Sequence, residues 1–229
     1  MGKGDDPRPP LHAFHIGKTG GTALNQTLLT HGDGSRYRLL FGGHTLTLRD
    51  VPAGEGFMFV IRDPLKRFVS AFNGRLREDR PRYHYPWRAE EKVAFAIFKT
   101  PDQLATALSS ADADERRRAE DAMRGIGHVN TPYSYWFEDE ESFRARVADL
   151  FFIGFTERLN DDFELLKRKL GLPQDIRLPA DETAAHRTPT GFSTQLSEVG
   201  RTNLERWYAP DIAFVRLCRE LAPTVNSPG

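Results

Sequence analysis

The chain has 229 residues, 39% of them hydrophobic and 11% aromatic, enough for one buried core in a single domain, 1–229. Lys and Arg total 32 and Asp and Glu total 32, a net charge of zero that argues against a polyanion binder acting through bulk charge. The one cysteine, Cys218, excludes an internal disulfide framework and sits in the apolar pattern DIAFVRLCREL as a core thiol.

Residues 1–10, MGKGDDPRPP, are polar and proline-rich, a flexible N-terminus with no signal-peptide core. No stretch approaches the ~20 apolar residues of a membrane span, so the expectation is a soluble cytoplasmic protein without a membrane partner. LHAFHI, 11–16, predicts a short strand. TALNQTLLTHG then predicts a helix with Leu24, Leu28 and Leu29 on one face and Gly32 at its stop. GFMFVI, 56–61, is apolar without alternation, as a central parallel strand buried on both faces would be. In RDPLKRFVSAFNGRLRE, Asp63 is an N-cap candidate, Pro64 takes the first helical position, and Leu65, Phe68, Val69, Phe72 and Leu76 recur at helical spacing. ADADERRRAEDAMR, 111–124, is a solvated helix of mixed charge, and DLFFIGF, 149–155, a second buried strand. NDDFELLKRKLGLP follows with its acids first, its lysines last, Gly171 at the stop and Pro173 beyond. The polar, three-proline segment 173–195 predicts a long loop. Strands alternating with helices predict an α/β fold with a central, largely parallel sheet flanked by helices.

Two stretches point to bound phosphate. The first strand runs into GKTGGT, 17–22, and then into a helix, which turns backbone N–H groups and the positive end of the helix dipole toward an anion. Lys18 adds a mobile positive charge, Thr19 and Thr22 add hydroxyls, and Gly20 and Gly21 allow close approach. The loop departs from the nucleoside-triphosphate pattern G-x-x-x-x-G-K-[ST]: the first glycine would fall at His12, and the glycines here follow the lysine. Further on, FVIRDPLKRFVSAF puts Arg62 at the C-terminal end of a buried strand, where open α/β sheets bind ligands, with Ser70 eight residues later in the helix. An arginine fork and a serine hydroxyl suit a second anion.

FHIGKTGGTAL followed by VIRDPLKRFVSAF resembles the paired signatures of sulfotransferases that use 3′-phosphoadenosine 5′-phosphosulfate. The likeness is to the group of carbohydrate sulfotransferases that contains heparan sulfate 2-O-sulfotransferase and its bacterial relatives. That group reads H-I-P-K-T-G-G-T-S and later V-R-D-P-x-x-R-x-x-S; here Gly17 replaces the proline and Ala23 the first serine. FFIGFTERLNDDFELLKRKLGL is similar to the family's G-x-x-E-x-L-x-x-x-x-x-x-L segment, with Glu157 at its acidic position. The resemblance implies a P-loop-like three-layer fold. It also implies in-line transfer of a sulfuryl group to an acceptor hydroxyl without a metal, leaving adenosine 3′,5′-bisphosphate. It implies that Lys18, Thr19, Gly20, Gly21 and Thr22 hold the 5′-phosphosulfate, that Arg62 and Ser70 hold the 3′-phosphate, and that the loop around Arg187 and Thr188 closes over the nucleotide.

In that chemistry Lys18 stabilises charge growing on the bridging oxygen, and the acceptor hydroxyl needs a base, for which histidine suits neutral pH. His44, in LLFGGHTLTL, follows two glycines and falls between the two nucleotide motifs, where the family often carries a G-H element; it is the candidate base. His12 and His15 fit structural roles, and His31 a solvated turn. His128, in GIGHVNTPYSYWF, is a candidate acceptor contact, although TPYS lacks the glutamine that often follows in the family. His84, in REDRPRYHYPWRAEE, and nearby Arg75 belong to a basic and aromatic stretch that suits an anionic or sugar-like acceptor or a solvated surface. Glu157 fits a capping or ion-pair role. The expected partner is a small-molecule or saccharide hydroxyl, not nucleic acid. Two other functions compete: a magnesium-dependent kinase or nucleotide hydrolase using Thr19 and Asp63 as metal ligands, and a non-catalytic nucleotide-binding module without a working base.

Overall fold

A computed structural model describes residues 6–81, 83–179 and 191–227. In chain order the first elements are β1 (Pro10–Ala13), α1 (Gly21–His31), β2 (Arg38–Phe41), β3 (Gly56–Ile61) and α2 (Pro64–Leu76). Next come α3 (Ala89–Ile97), α4 (Pro101–Ala107), α5 (Ala113–Gly125), α6 (Ser134–Phe137) and α7 (Glu140–Ala145). The chain ends with β4 (Leu150–Phe155), α8 (Leu159–Leu170), α9 (Glu198–Trp207) and α10 (Ala209–Val225). The described chain gathers into two compact units, one from residues 6–62, 133–179 and 216–227, the other from 63–132 and 191–215.

The first unit holds the sheet, four parallel strands in the order β2-β1-β3-β4. Successive side chains of a strand point to opposite faces, and here both faces are covered. Met58 and Val60 of β3 join Leu11 and Ala13 of β1, Leu24 and Leu28 of α1, and Phe163, Leu166 and Leu170 of α8 in one core cluster. Phe57 and Phe59 point the other way: Phe57 stacks on Phe14 at 5.7 Å, and Phe59 meets Phe137 of α6 at 4.5 Å. Continuous apolarity in GFMFVI thus reflects burial on both faces, and the result is a three-layer α/β arrangement.

The second unit is helical. Phe68 and Phe72 of α2, Phe95 of α3, Leu104 of α4, Met123 of α5 and Leu204 of α9 form its core. Asp63 caps α2 by accepting from Lys66 N at 3.0 Å, and Pro64 occupies the first turn. α5 keeps only Ala119, Ala122 and Met123 buried, in keeping with its mixed charges.

Termini of α8 follow helix electrostatics: Asp161 and Asp162 lie in its first turn, and Lys167, Arg168 and Lys169 in its last. Gly171 closes it at φ 75, where a Cβ would lie 2.7 Å from Arg36 Nε. Fully buried Lys167 donates from Nζ to Gln174 O and Ile176 O, pinning the start of the polar segment that follows. Residues 180–190, the middle of the segment expected as a long loop, lie outside the described residues. Arg8 donates to Asp33 O and Ser35 O, and Pro10 already belongs to β1.

Two strands differ from the expectation. β1 stops at Ala13 rather than continuing to residue 16, because the chain leaves the ladder for the turn over residues 17–20. β2, RLLF, was not predicted; it is a four-residue edge strand with exposed and half-buried positions, too short for a periodic signal. The opposite edge, β4, is covered by Asn226, which donates to Ile153 O at 2.8 Å and accepts from Ile153 N at 3.0 Å. A side-chain amide thus supplies what another strand would supply. Cys218 is fully buried in α10, and burial pushes its thiol up, which makes it inert. Among the described residues no helix is long and apolar enough to cross a membrane.

Asn226→Ala leaves both polar groups of Ile153 without that partner in a buried setting, at a cost of about 2–4 kcal/mol. Urea unfolding is expected to show a lowered midpoint with an unchanged slope.

Candidate functional site

β1 connects through α1 to β2 on one side, whereas β3 neighbours β1 on the other and leads on toward β4. The carboxyl ends of β1 and β3 therefore form a topological switch point, where open parallel sheets leave a crevice for ligands. All four strand ends bring a polar group to this edge of the first unit: the 17–20 turn after β1, His44 after β2, Arg62 after β3 and Thr156 after β4.

The turn after β1 is strained and clamped. Lys18 adopts φ 67, a left-handed conformation that non-glycine residues rarely take and that clusters at functional sites. Gly20, at φ 83, is the N-cap of α1 and has no side chain to cap it. The clamp comes from the other strand ends. Arg62 donates from Nη1 to Lys18 O at 3.1 Å. Thr156 donates from Oγ1 to Thr19 O at 2.6 Å and lies 3.2 Å from Ile61 O. Thr19 itself is fully buried and donates from Oγ1 to Ile16 O at 3.0 Å, so its hydroxyl is turned inward rather than toward an anion. Thr22 is half-buried, with Oγ1 3.3 Å from His15 Nε2. A Cβ on Gly21 would come within 2.9 Å of His15 Cδ2, which explains the second glycine.

His44 sits in the short 3₁₀ turn Gly43–Thr45. Its Nδ1 is 2.9 Å from His15 O. A carbonyl only accepts, so Nδ1 holds the proton and Nε2 of the neutral ring holds the lone pair. The two imidazoles stack with centroids 4.0 Å apart at 26°. Trp136 of α6 donates from Nε1 to His44 O at 3.2 Å. Burial pushes His44 below its ordinary pKa; the hydrogen bond to His15 O opposes that, and the Lys18 charge reinforces it. Burial, aided by His44, lowers His15 to about 4. Both rings are therefore uncharged at neutral pH.

The first unit thus brings together Lys18, Thr19, Gly20, Gly21, Thr22, Arg62 and His44. Ser70, Arg75, His84 and His128 belong to the second. Ser70 is half-buried on α2, and His128 is half-buried with φ 64. Exposed His84 lies 2.7 Å from Arg80 Nη2 and 3.3 Å from a Glu78 carboxylate oxygen. Arg75, expected near an acceptor, is interior instead. Its guanidinium binds Glu91 through Nε and Nη2 at 2.7 Å each and Asp79 through Nη1 at 2.8 Å, and it also donates to Tyr85 O. Glu91 is fully buried and Asp79 nearly so, which makes Arg75 part of the scaffold. Arg187 and Thr188 lie outside the described residues. His12 binds Glu55 Oε2 at 2.6 Å, a structural contact, and Glu157 is exposed.

Sequence reasoning missed Thr156 and Trp136. Thr156 immediately follows buried strand β4, so the positional argument that singles out Arg62 after β3 reaches it as well. Trp136 left no such signal. Among the described residues no group of three or more His, Cys, Asp or Glu side chains is arranged to hold a metal ion. No family model matches the chain, and no curated protein matches it.

Two outcomes are expected. Glu91→Ala takes the two-pronged partner from a buried guanidinium, leaving Asp79 alone to balance its charge, and lowers stability by about 3–5 kcal/mol in chemical denaturation. His15, held near 4 in the fold against 6.5 when unfolded, makes the unfolded state bind the extra proton between those values. Its share of stability is complete above pH 6.5 and is lost as pH falls toward 4. Denaturation midpoints measured across that window are expected to fall with pH, less steeply in His15→Ala.

Proposed function

We propose that the protein is a sulfotransferase that moves the sulfuryl group of 3′-phosphoadenosine 5′-phosphosulfate to an acceptor hydroxyl and releases adenosine 3′,5′-bisphosphate. One observation carries this reading. The arginine of the second motif, Arg62, donates to the carbonyl of the lysine in the first motif, Lys18, at the switch point of the sheet. Two stretches far apart in sequence thereby meet at the carboxyl edge of the sheet.

The residues present fit such an anion. A left-handed lysine, a side-chain-free cap at the start of α1 and a second cation on the same turn are the elements of a phosphate or sulfate cradle. When bound, the nucleotide would supply the sulfuryl group and a 5′-phosphate leaving group. Lys18 and the first N–H groups of α1 stabilise negative charge that grows on the bridging oxygen as its bond to sulfur breaks. Arg62 adds positive charge and holds the turn in place through Lys18 O. His44 accepts the acceptor's proton at Nε2 as the new oxygen–sulfur bond forms, and its lowered pKa leaves that nitrogen unprotonated at neutral pH. The acceptor is a small-molecule or saccharide hydroxyl, the reading assigns no step to a metal, and the single cysteine suits the cytoplasm.

The magnesium-dependent alternative needs Thr19 and Asp63 as ligands. Thr19 Oγ1 donates into the core and Asp63 caps α2, so both are already engaged.

Titration calorimetry is expected to show that adenosine 3′,5′-bisphosphate binds without magnesium and that ATP with magnesium does not. With labelled sulfate donor and an acceptor screen, Lys18→Ala is expected to lower kcat ~10²–10³-fold and His44→Ala ~10²–10⁴-fold, both with unchanged folding. Full turnover in folded Lys18→Ala overturns the reading. Nucleotide binding without turnover on any acceptor favours the non-catalytic module.

A further inference from the structure

We propose that His15 is a positioning residue for His44: its carbonyl fixes the His44 tautomer, and its ring, wedged between the start of α1 and the His44 imidazole, fixes the direction of His44 Nε2. The role of Nε2 as a base rests on the sulfotransferase reading; the coupling between the two rings does not.

Three contacts define the wedge. On one side the His15 ring lies so close to the first turn of α1 that a Cβ at Gly21 would come within 2.9 Å of Cδ2. At its Nε2 the Thr22 hydroxyl stands 3.3 Å away. On the other side the His44 ring stacks at 4.0 Å. His44 itself lies in an exposed turn that follows two flexible glycines, Gly42 and Gly43. Such a turn does not orient a side chain alone. The carbonyl bond and the stack do so from one side, and the Trp136 indole bonded to His44 O secures the backbone from another.

The arrangement links the base to the anion cradle. Gly21 and Thr22 form the first turn of α1 and touch the His15 ring, and that ring touches His44. Burial lowers the His44 pKa together with the Lys18 charge, from the β1–α1 connection, the hydrogen bond to His15 O opposes them, and Trp136 from α6 brings a neutral N–H. A second proton on this pair is disfavoured by the covering of each ring by the other, which keeps Nε2 of His44 as a lone-pair nitrogen.

The test is long-range ¹H–¹⁵N NMR of the imidazole rings, followed as a pH titration on the full chain, with His15→Ala alongside. The variant keeps the residue 15 carbonyl and removes only the ring. In the native protein His44 is expected as the Nδ1–H tautomer, titrating below 6.5. In His15→Ala the midpoint is expected to rise toward 6.5 and the tautomers to mix. An Nε2–H tautomer in the native protein, or a tautomer and midpoint unchanged in His15→Ala, overturns the proposal. The native spectrum alone decides the tautomer, whether or not the variant folds. Where turnover is measured, His15→Ala is expected to lower kcat at least ~10-fold and to move the acid limb of the pH profile with His44, with bisphosphate affinity unchanged. If no bisphosphate binds at all, the sulfotransferase reading fails while the spectra still judge the ring pair.

Discussion

The carboxyl edge of the sheet depends on a clamp applied to the backbone of one turn. Lys18 is held in a left-handed conformation that costs a non-glycine residue about 1–3 kcal/mol. It persists because carbonyls on that turn are bonded by side chains from other strand ends, Lys18 O by Arg62 and Thr19 O by Thr156. The buried Thr19 hydroxyl anchors the turn from within. Without the neighbouring strands, the local Thr19–Ile16 bond would lack the support of Arg62 and Thr156. The parallel sheet is thus the part of the protein that shapes the lysine turn.

The same edge manages charge by exclusion. Arg62 reaches the Lys18 turn, yet both imidazoles there are shifted toward the neutral form, His44 by burial and the Lys18 charge and His15 by burial and His44. A protonated histidine next to Lys18 would be repelled, so the field that favours an anionic ligand also favours an unprotonated His44. In the proposed reading, anion binding and base chemistry would draw on the same Lys18 charge.

The second unit handles charge in the opposite way. Arg75 is buried with Glu91 and Asp79, and its guanidinium is matched by carboxylates and carbonyls. Desolvating three charges is costly, and such a cluster is retained where its geometry is complete. It ties α2 to the start of α3 and to the chain between them. A basic residue in an arginine-rich, aromatic stretch therefore proves to be framework. Composition counts charges but does not distinguish a paired one from an exposed one.

The sequence by itself determined the elements whose signal is local. Unbroken apolarity marked β3 and β4, Asp63-Pro64 marked the start of α2, and Gly171 marked the end of α8, because each follows from the burial or backbone angle of one segment. It also marked Lys18 and Arg62 as strand-end cations. Only the tertiary structure decided that Arg62 grips the lysine turn, that the Thr19 hydroxyl points inward, that Arg75 is interior and that the His15 ring stacks on His44. The grip of Arg62 and the His15–His44 contact depend on strand order, which joins residues 44 and 29 positions apart, the other two on how side chains pack, and a pattern of period two or 3.6 holds no information about either.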